Sequence, residues 1–208
     1  DEIAAGLAAV FSTVTTAGSP ATIGAGTEGL LADVSNLKPG NDLLLTYTDN
    51  GAQQRVRIVN STNGDDYVDA TGQRVISVDL SDTTAAAATL QAKLNASGLS
   101  FTSPAAGQLQ VLDDGAGGTR DVTGFTTRAT ATALQNGDLA LPLFVDQGNS
   151  AFTDNLDTDP PQIMGFAGRI AINPALLADN RLLVQFDIDH TLGDASRANY
   201  VLDQLNSM

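Results

Sequence analysis

The sequence predicts an α+β chain, mainly β, in which antiparallel strands carry one short helix packed on a sheet and helical segments flank both ends. Three observations predict it. Apolar residues recur at helical spacing near the termini, at Ile3, Leu7, Val10, Phe11 and Val14 and again at Ala198, Val201, Leu202, Leu205 and Met208. Much of the middle switches to alternation of period two, with Val56 and Ile58 set against Arg55 and Arg57 as the plainest case. The order strand, strand, strand, helix, strand, strand, strand across that middle is an α+β pattern with an antiparallel sheet.

Taken in order, a first helix spans residues 3 to 14, and Gly18 and Pro20 stop it, one by tolerating a left-handed cap and the other by lacking an N–H. Strands follow at 42–48 and 55–59. Asp49-Asn50-Gly51 between them supplies residues that tolerate positive φ and gives the strongest hairpin signal in the chain. A third strand at 74–80 turns Ile76, Val78 and Leu80 to one side. Thr83 and Thr84 then open a helix whose face is Ala87, Leu90 and Leu94, with Gly98 as its stop. Leu99 and Phe101 pair with Leu109 and Val111 across Pro104-Ala105-Ala106-Gly107 as a second hairpin, and 122–127 forms a further strand. Residues 139–159 read as a connector, 163–172 as a strand with Met164, Phe166, Ile170 and Ile172 on one face, and 182–188 as the last strand. Asp194 caps the closing helix. Neither terminal helix has a cap or stop at its outer end, so both are expected to continue in a longer protein and to lie near each other. The expected division is a discontinuous base at 1–34 and 139–208, with 35–138 as an inserted α+β domain.

Composition narrows the function. The 208 residues carry 24 acidic and 10 basic side chains, a net charge of −14, and all but Glu2 and Glu28 of the acids are Asp. Such an excess opposes nucleic-acid binding, which draws its affinity from Lys and Arg on phosphates. No apolar run approaches the roughly 20 residues of a bilayer-spanning helix. Apolar residues at 42% suffice for a core, which in a chain this long buries roughly 70% of the unfolded surface. There is no Cys, no Trp and a single His, which disfavours thiol catalysis, structural zinc and disulfides.

Few residues are candidates for chemistry. His190, between Asp187, Asp189 and Thr191, is a candidate base or metal ligand with an orienting carboxylate, although no nucleophile motif accompanies it and a loop role is preferred. Three aspartate clusters, Asp65/Asp66/Asp69, Asp113/Asp114 and Asp154/Asp157/Asp159, have the oxygen ligands calcium needs but not the EF-hand spacing, and turns are the preferred reading. A carboxylate pair for glycoside cleavage depends on the fold. The glycines 115 and 117–118 lack the phosphate-loop pattern. Asn60 and Asn95 fit the glycosylation sequon by chance spacing. No catalytic, cofactor-binding or metal-binding residue is therefore assigned.

One stretch is more specific. Gln162-Ile163-Met164-Gly165-Phe166-Ala167-Gly168-Arg169-Ile170-Ala171-Ile172-Asn173-Pro174-Ala175-Leu176, running on to Asn180, resembles a segment of the flagellar hook-associated proteins of the hook–filament junction, the FlgK family, in its alphaproteobacterial form. Leu44-Thr46-Tyr47-Thr48, Val111-Leu112-Asp113-Asp114-Gly115, Leu141-Pro142-Leu143-Phe144 and Tyr200-Val201-Leu202-Asp203-Gln204-Leu205 follow in the same order. The resemblance implies a structural, non-enzymatic subunit of the bacterial flagellum, secreted unfolded through the flagellar type III export channel and located outside the cell. In the full-length protein it implies a ring of copies touching the hook protein and the adjacent hook-associated protein, without nucleic acid, membrane or cofactor. The long terminal helices of that family are missing, so the piece itself is expected to be monomeric and to lack the export-chaperone site. Two other readings remain: a surface adhesin or carbohydrate-binding module using Tyr47, Tyr67 or Phe152, and a hydrolase using an Asp pair or Asp189 with His190.

Overall fold

The computed structural model describes residues 1–22, 28–115, 117–189 and 193–206. In chain order the elements are α1 (Glu2–Ser12), β1 (Thr13–Ala17), β2 (Ser19–Thr22), β3 (Glu28–Asp33), β4 (Asp42–Asp49), β5 (Ala52–Asn60), β6 (Tyr67–Val68), β7 (Arg74–Val78), α2 (Thr83–Lys93), β8 (Ser100–Thr102), β9 (Gln108–Leu112), β10 (Arg120–Thr130), β11 (Phe144–Asp146), β12 (Ser150–Ala151), β13 (Ala171–Ile172), α3 (Pro174–Ala178) and α4 (Ser196–Asn206). The class is α+β and mainly β, as the sequence predicts. Two compact units divide the chain, one from residues 1–14 and 129–208 and the other from 15–128.

The 15–128 unit holds a six-stranded sheet ordered β1-β10-β4-β5-β7-β6 and a four-stranded sheet ordered β2-β3-β9-β8. Leu43 and Leu45 of β4, Val56 and Ile58 of β5, Ile76 of β7 and Phe125 of β10 pack into one core with Leu109 and Val111 of β9, Phe101 of β8 and Leu90 of α2. The β4–β5 hairpin closes as expected through Asn50 and Gly51, both at positive φ (51° and 80°), the backbone a two-residue hairpin turn requires. The Asp82 carboxylate caps α2 by accepting the N–H groups of Thr84 at 2.9 Å and Ala85 at 3.2 Å. Thr89 bonds back to Ala85 one turn earlier, and a short 3-10 turn ends at Gly98.

Two features depart from the sequence expectation here. The first helix stops at Ser12, because Ser12 and Thr13 turn their hydroxyls back onto the carbonyls of Ala8 and Ala9 and the β-branched run from Thr13 continues as β1. β7 joins β5 in parallel rather than antiparallel, since the Ser61–Gln73 connection is long enough to carry the chain back to the starting end of the sheet. Pro20 stands in β2 at the edge of its sheet, where a missing N–H breaks no ladder.

The other unit is smaller. β11 lies between β12 and β13 in an antiparallel sheet, and Ala8 of α1 joins Phe152 and Phe166 in a core edged by Ala4, Ala5, Phe144, Ile163 and Ile170. Phe152 and Phe166 stack with centroids 4.2 Å apart. α1 meets α4, and the Tyr200 hydroxyl donates to the Thr13 carbonyl at 3.3 Å.

Two expected strands are corrected in this unit. Residues 163–172 form turns and a 3-10 turn at Phe166–Gly168, with strand at Ala171–Ile172 alone. Residues 182–188 belong to a 3-10 turn, Asn180–Leu183, and to turns and irregular backbone. In both places an arginine takes the backbone carbonyls.

Candidate functional site

The segment that carries the resemblance folds around Arg169. Its guanidinium meets the Asp146 carboxylate at two points, Nε to Oδ1 at 2.8 Å and Nη2 to Oδ2 at 3.2 Å. It also donates to the carbonyls of Met164 and Gln162, each at 2.6 Å. Gln162 completes the clamp by donating to Asp146 and to the Ala151 carbonyl, while its Oε1 accepts the N–H groups of Thr153 and Asn155. Burial alone would push the Asp146 carboxyl up. The Arg169 hydrogen bonds, the Gln147 N–H and the Arg169 charge outweigh burial and hold it below the usual carboxylate range. Asp1 reaches the same segment and accepts the N–H groups of Gly165 and Ala167 at 3.0 and 2.9 Å.

Arg197, near the start of α4, is fully buried. It donates to five carbonyls: Leu134, Asp138, Leu139, Leu182 and Gln185. The Phe186 ring lies 5.6 Å from its guanidinium carbon. Burial lowers its pKa from the ordinary value, and Asp138 favours the charge. These two arginines fix turns that have little regular secondary structure of their own.

On this scaffold the 1–14/129–208 unit displays apolar side chains. Eleven large ones are exposed among the described residues, and nine belong to this unit. Ile3 stands on α1, Leu177 on α3, and Leu202 and Leu205 on α4; Met164, Ile172, Leu183, Val184 and Ile188 stand in the intervening turns and β13. Its only Lys or Arg residues are Arg169, Arg181 and Arg197, of which Arg169 and Arg181 pair with Asp146 and Asp179. The surface therefore combines exposed hydrophobes with carboxylates and offers almost no free cation.

Among the described residues, the structure does not bring the candidate chemical residues together. Asp66 bonds the Lys93 ammonium at 2.7 Å and the Ser77 N–H. Asp69 accepts from Thr71 and Gln73 within its turn, while Asp113 accepts from Gly115 in its loop and from Val122 in β10, and Asp114 from Thr119 and from Arg120 at the start of β10. Asp187 accepts the N–H of Asp189 at 3.3 Å, and His190 and Thr191 lie outside the described residues. No group of three or more His, Asp or Glu suited to a metal ion occurs among the described residues. Asn60 is buried with its amide between Leu37 and Leu80. Among the aromatic candidates, Phe152 is in the core, Tyr67 is exposed on β6, and Tyr47 is 8% exposed with its ring in the core. Arg169 stands in the resembling stretch, but nothing local marks either arginine as a clamp; the buried guanidinium of Arg197 is visible only once the chain is folded. Comparison of the chain with models of known protein families, with curated proteins and with solved structures finds no match.

Proposed function

We propose that this chain is a region of a non-enzymatic structural subunit of the bacterial flagellum, a hook-associated protein that joins hook to filament outside the cell. The observation that carries the reading is the concentration of exposed apolar side chains in the unit built from both terminal segments, Ile3 on α1 and Leu202 and Leu205 on α4 among them. Such side chains on folded helices suit burial against neighbouring subunits. The 15–128 unit, with Tyr67 and Val68 as its exposed large hydrophobes among the described residues, suits a solvated exterior. The segment that most resembles the hook-associated family folds as the Arg169–Asp146 clamp within the apolar-faced unit, a structural rather than a chemical use of those residues.

The proposal is tested in the full-length protein. Deleting its gene is expected to release filament subunits into the medium, and a copy carrying Leu202→Asp and Leu205→Asp is expected to be exported yet fail to restore attachment. Filaments that stay attached after deletion would overturn the reading.

A further inference from the structure

The β4–β5 hairpin runs past its neighbour. β4 pairs with β5 from Ala52 onward, whereas β7 pairs with β5 only from Val56. Along Ala52–Arg55, β5 is therefore bonded on one side alone, and no backbone hydrogen bond joins this stretch to another segment among the described residues. In an antiparallel pair every second residue turns its N–H and C=O away from the partner, so the stretch presents an open sheet edge. Its four residues are all exposed. Beside this stretch lies an open groove of about 760 Å³ whose lining includes Gln53, Gln54 and Arg55 of β5 and Thr71, Gln73 and Arg74 at and before the start of β7. That volume is within the range of ligand sites.

Charge singles out the same place. Arg57 and Arg128 pair with Asp42, and Arg120 lies 3.7 Å from both Asp49 and Asp114. Arg55 and Arg74 are the arginines of the 15–128 unit with no carboxylate within ion-pair distance among the described residues, and both line the cavity. Arg74 is held at one end by donating Nη2 to the Lys93 carbonyl at 2.8 Å, which leaves its other N–H groups available. The one lining carboxylate, Asp49, faces Arg120. In a chain of net charge −14, two unpaired guanidiniums beside an open edge form a local site of opposite sign. Tyr47 and Ser97 also line the groove.

We propose that this groove binds an extended, carboxylate-bearing peptide segment, which adds to the free edge of β5 as a strand and sets its acidic side chains against Arg55 and Arg74. Main-chain pairing supplies affinity, and the arginines select acidic sequences. The inference rests on the 15–128 unit alone and does not depend on the flagellar reading.

The test uses the whole chain and a fluorescent octapeptide, Thr-Thr-Asp-Asp-Asp-Asp-Thr-Thr, whose adjacent Asp residues place carboxylates on both faces of an added strand, as Arg55 and Arg74 on opposite faces of the sheet require. Binding is followed by anisotropy, with amide NMR shifts expected at Gln53, Gln54 and Arg55. Replacing Asp by Asn in the peptide, or using the exposed double variant Arg55→Ala/Arg74→Ala with its circular dichroism unchanged, is expected to weaken binding about tenfold or more. Methylating alternate peptide nitrogens should weaken it similarly while leaving the charge intact. An N-methylated peptide that binds as tightly as its parent would mean charge attraction without strand addition and overturn the proposal. Equal binding of the Asn peptide, or no binding of the Asp peptide at millimolar concentration, would also overturn it.

Discussion

Arg128 holds Asp42 at two points, Nε to Oδ1 at 2.6 Å and Nη2 to Oδ2 at 2.7 Å, and the same carboxylate takes Arg57 Nε at 2.5 Å. The acid is buried at the start of β4, while both arginines keep partial contact with water. Asp42→Ala therefore frees two cations that solvent can reach, with an expected loss of about 1–3 kcal/mol. Removing both arginines strands a buried anion and is expected to cost more, about 3–5 kcal/mol. Urea unfolding of the two variants checks the order; equal losses would mean that the burial of Asp42 is not what makes its partners matter.

The Asp146–Arg169 clamp sets a pH dependence. Folding lowers the Asp146 pKa from its ordinary 3.8, so its stabilisation is fully present above that value and is lost as pH falls through the lower folded one. Arg169→Ala leaves the carboxylate buried without its main partner. The variant is expected to be less stable at pH 7, and its gap from the wild type is expected to narrow below pH ~4. Denaturant melts at several pH values give the comparison, and a gap constant with pH would exclude the ionised pair as the source.

Arg197 is the donor shared by five carbonyls from segments 134–139 and 182–185. Arg197→Met keeps much of the aliphatic volume but leaves those carbonyls without their donor, at an expected cost of about 3 kcal/mol or more. Arg197→Lys offers a compact ammonium in place of a planar fork and is expected to recover only part of it. Faster hydrogen exchange in α4 and earlier proteolysis near 180–189 are the readouts.

Two glycines are expected to respond in opposite directions. A Cβ on Gly29 would lie 2.0 Å from the Val111 carbonyl oxygen in the neighbouring β9, so Gly29→Ala must push the two strands apart and is expected to cost about 2 kcal/mol or more. A Cβ on Gly6, inside α1, would meet nothing within 4 Å. Gly6→Ala is expected to stabilise by about 0.5–1 kcal/mol through helix propensity alone. Thermal melts of the pair suffice.

What the sequence revealed follows from how far each signal reaches along the chain. Asn50-Gly51 dictates its own turn, and Ala87, Leu90 and Leu94 repeat on one helical face ahead of Gly98, so the β4–β5 hairpin and α2 were legible, while the Asp82 cap emerged only with the fold. β8 and β9 pair across a short loop and were legible for the same reason. The apolar alternation at 163–172 imitated a strand, but Arg169 curls that segment through Asp146, 23 positions away. Leu182 and Gln185 likewise give their carbonyls to Arg197 rather than to a ladder. β2 and β3 are short, with Gly, Ala and Pro among their residues, and gave little periodicity to read. The groove beside β5 exists because β7 starts pairing four residues late, a matter of register that no local pattern encodes.

The division of the chain also sets a timetable. Residues 15–128 are continuous, so on a ribosome that unit holds everything needed for its core once Arg128 has emerged. The other unit draws on 1–14 and 129–208, and the buried face of α1 must wait for Phe152 and Phe166, and its docking on α4 for residues 196–206 to emerge. During that wait Ala8 and Phe11 have no partner to cover them. A trigger-factor-like holdase captured on nascent chains stalled between 130 and 165, and released on chains that include α4, would be the signature of this order.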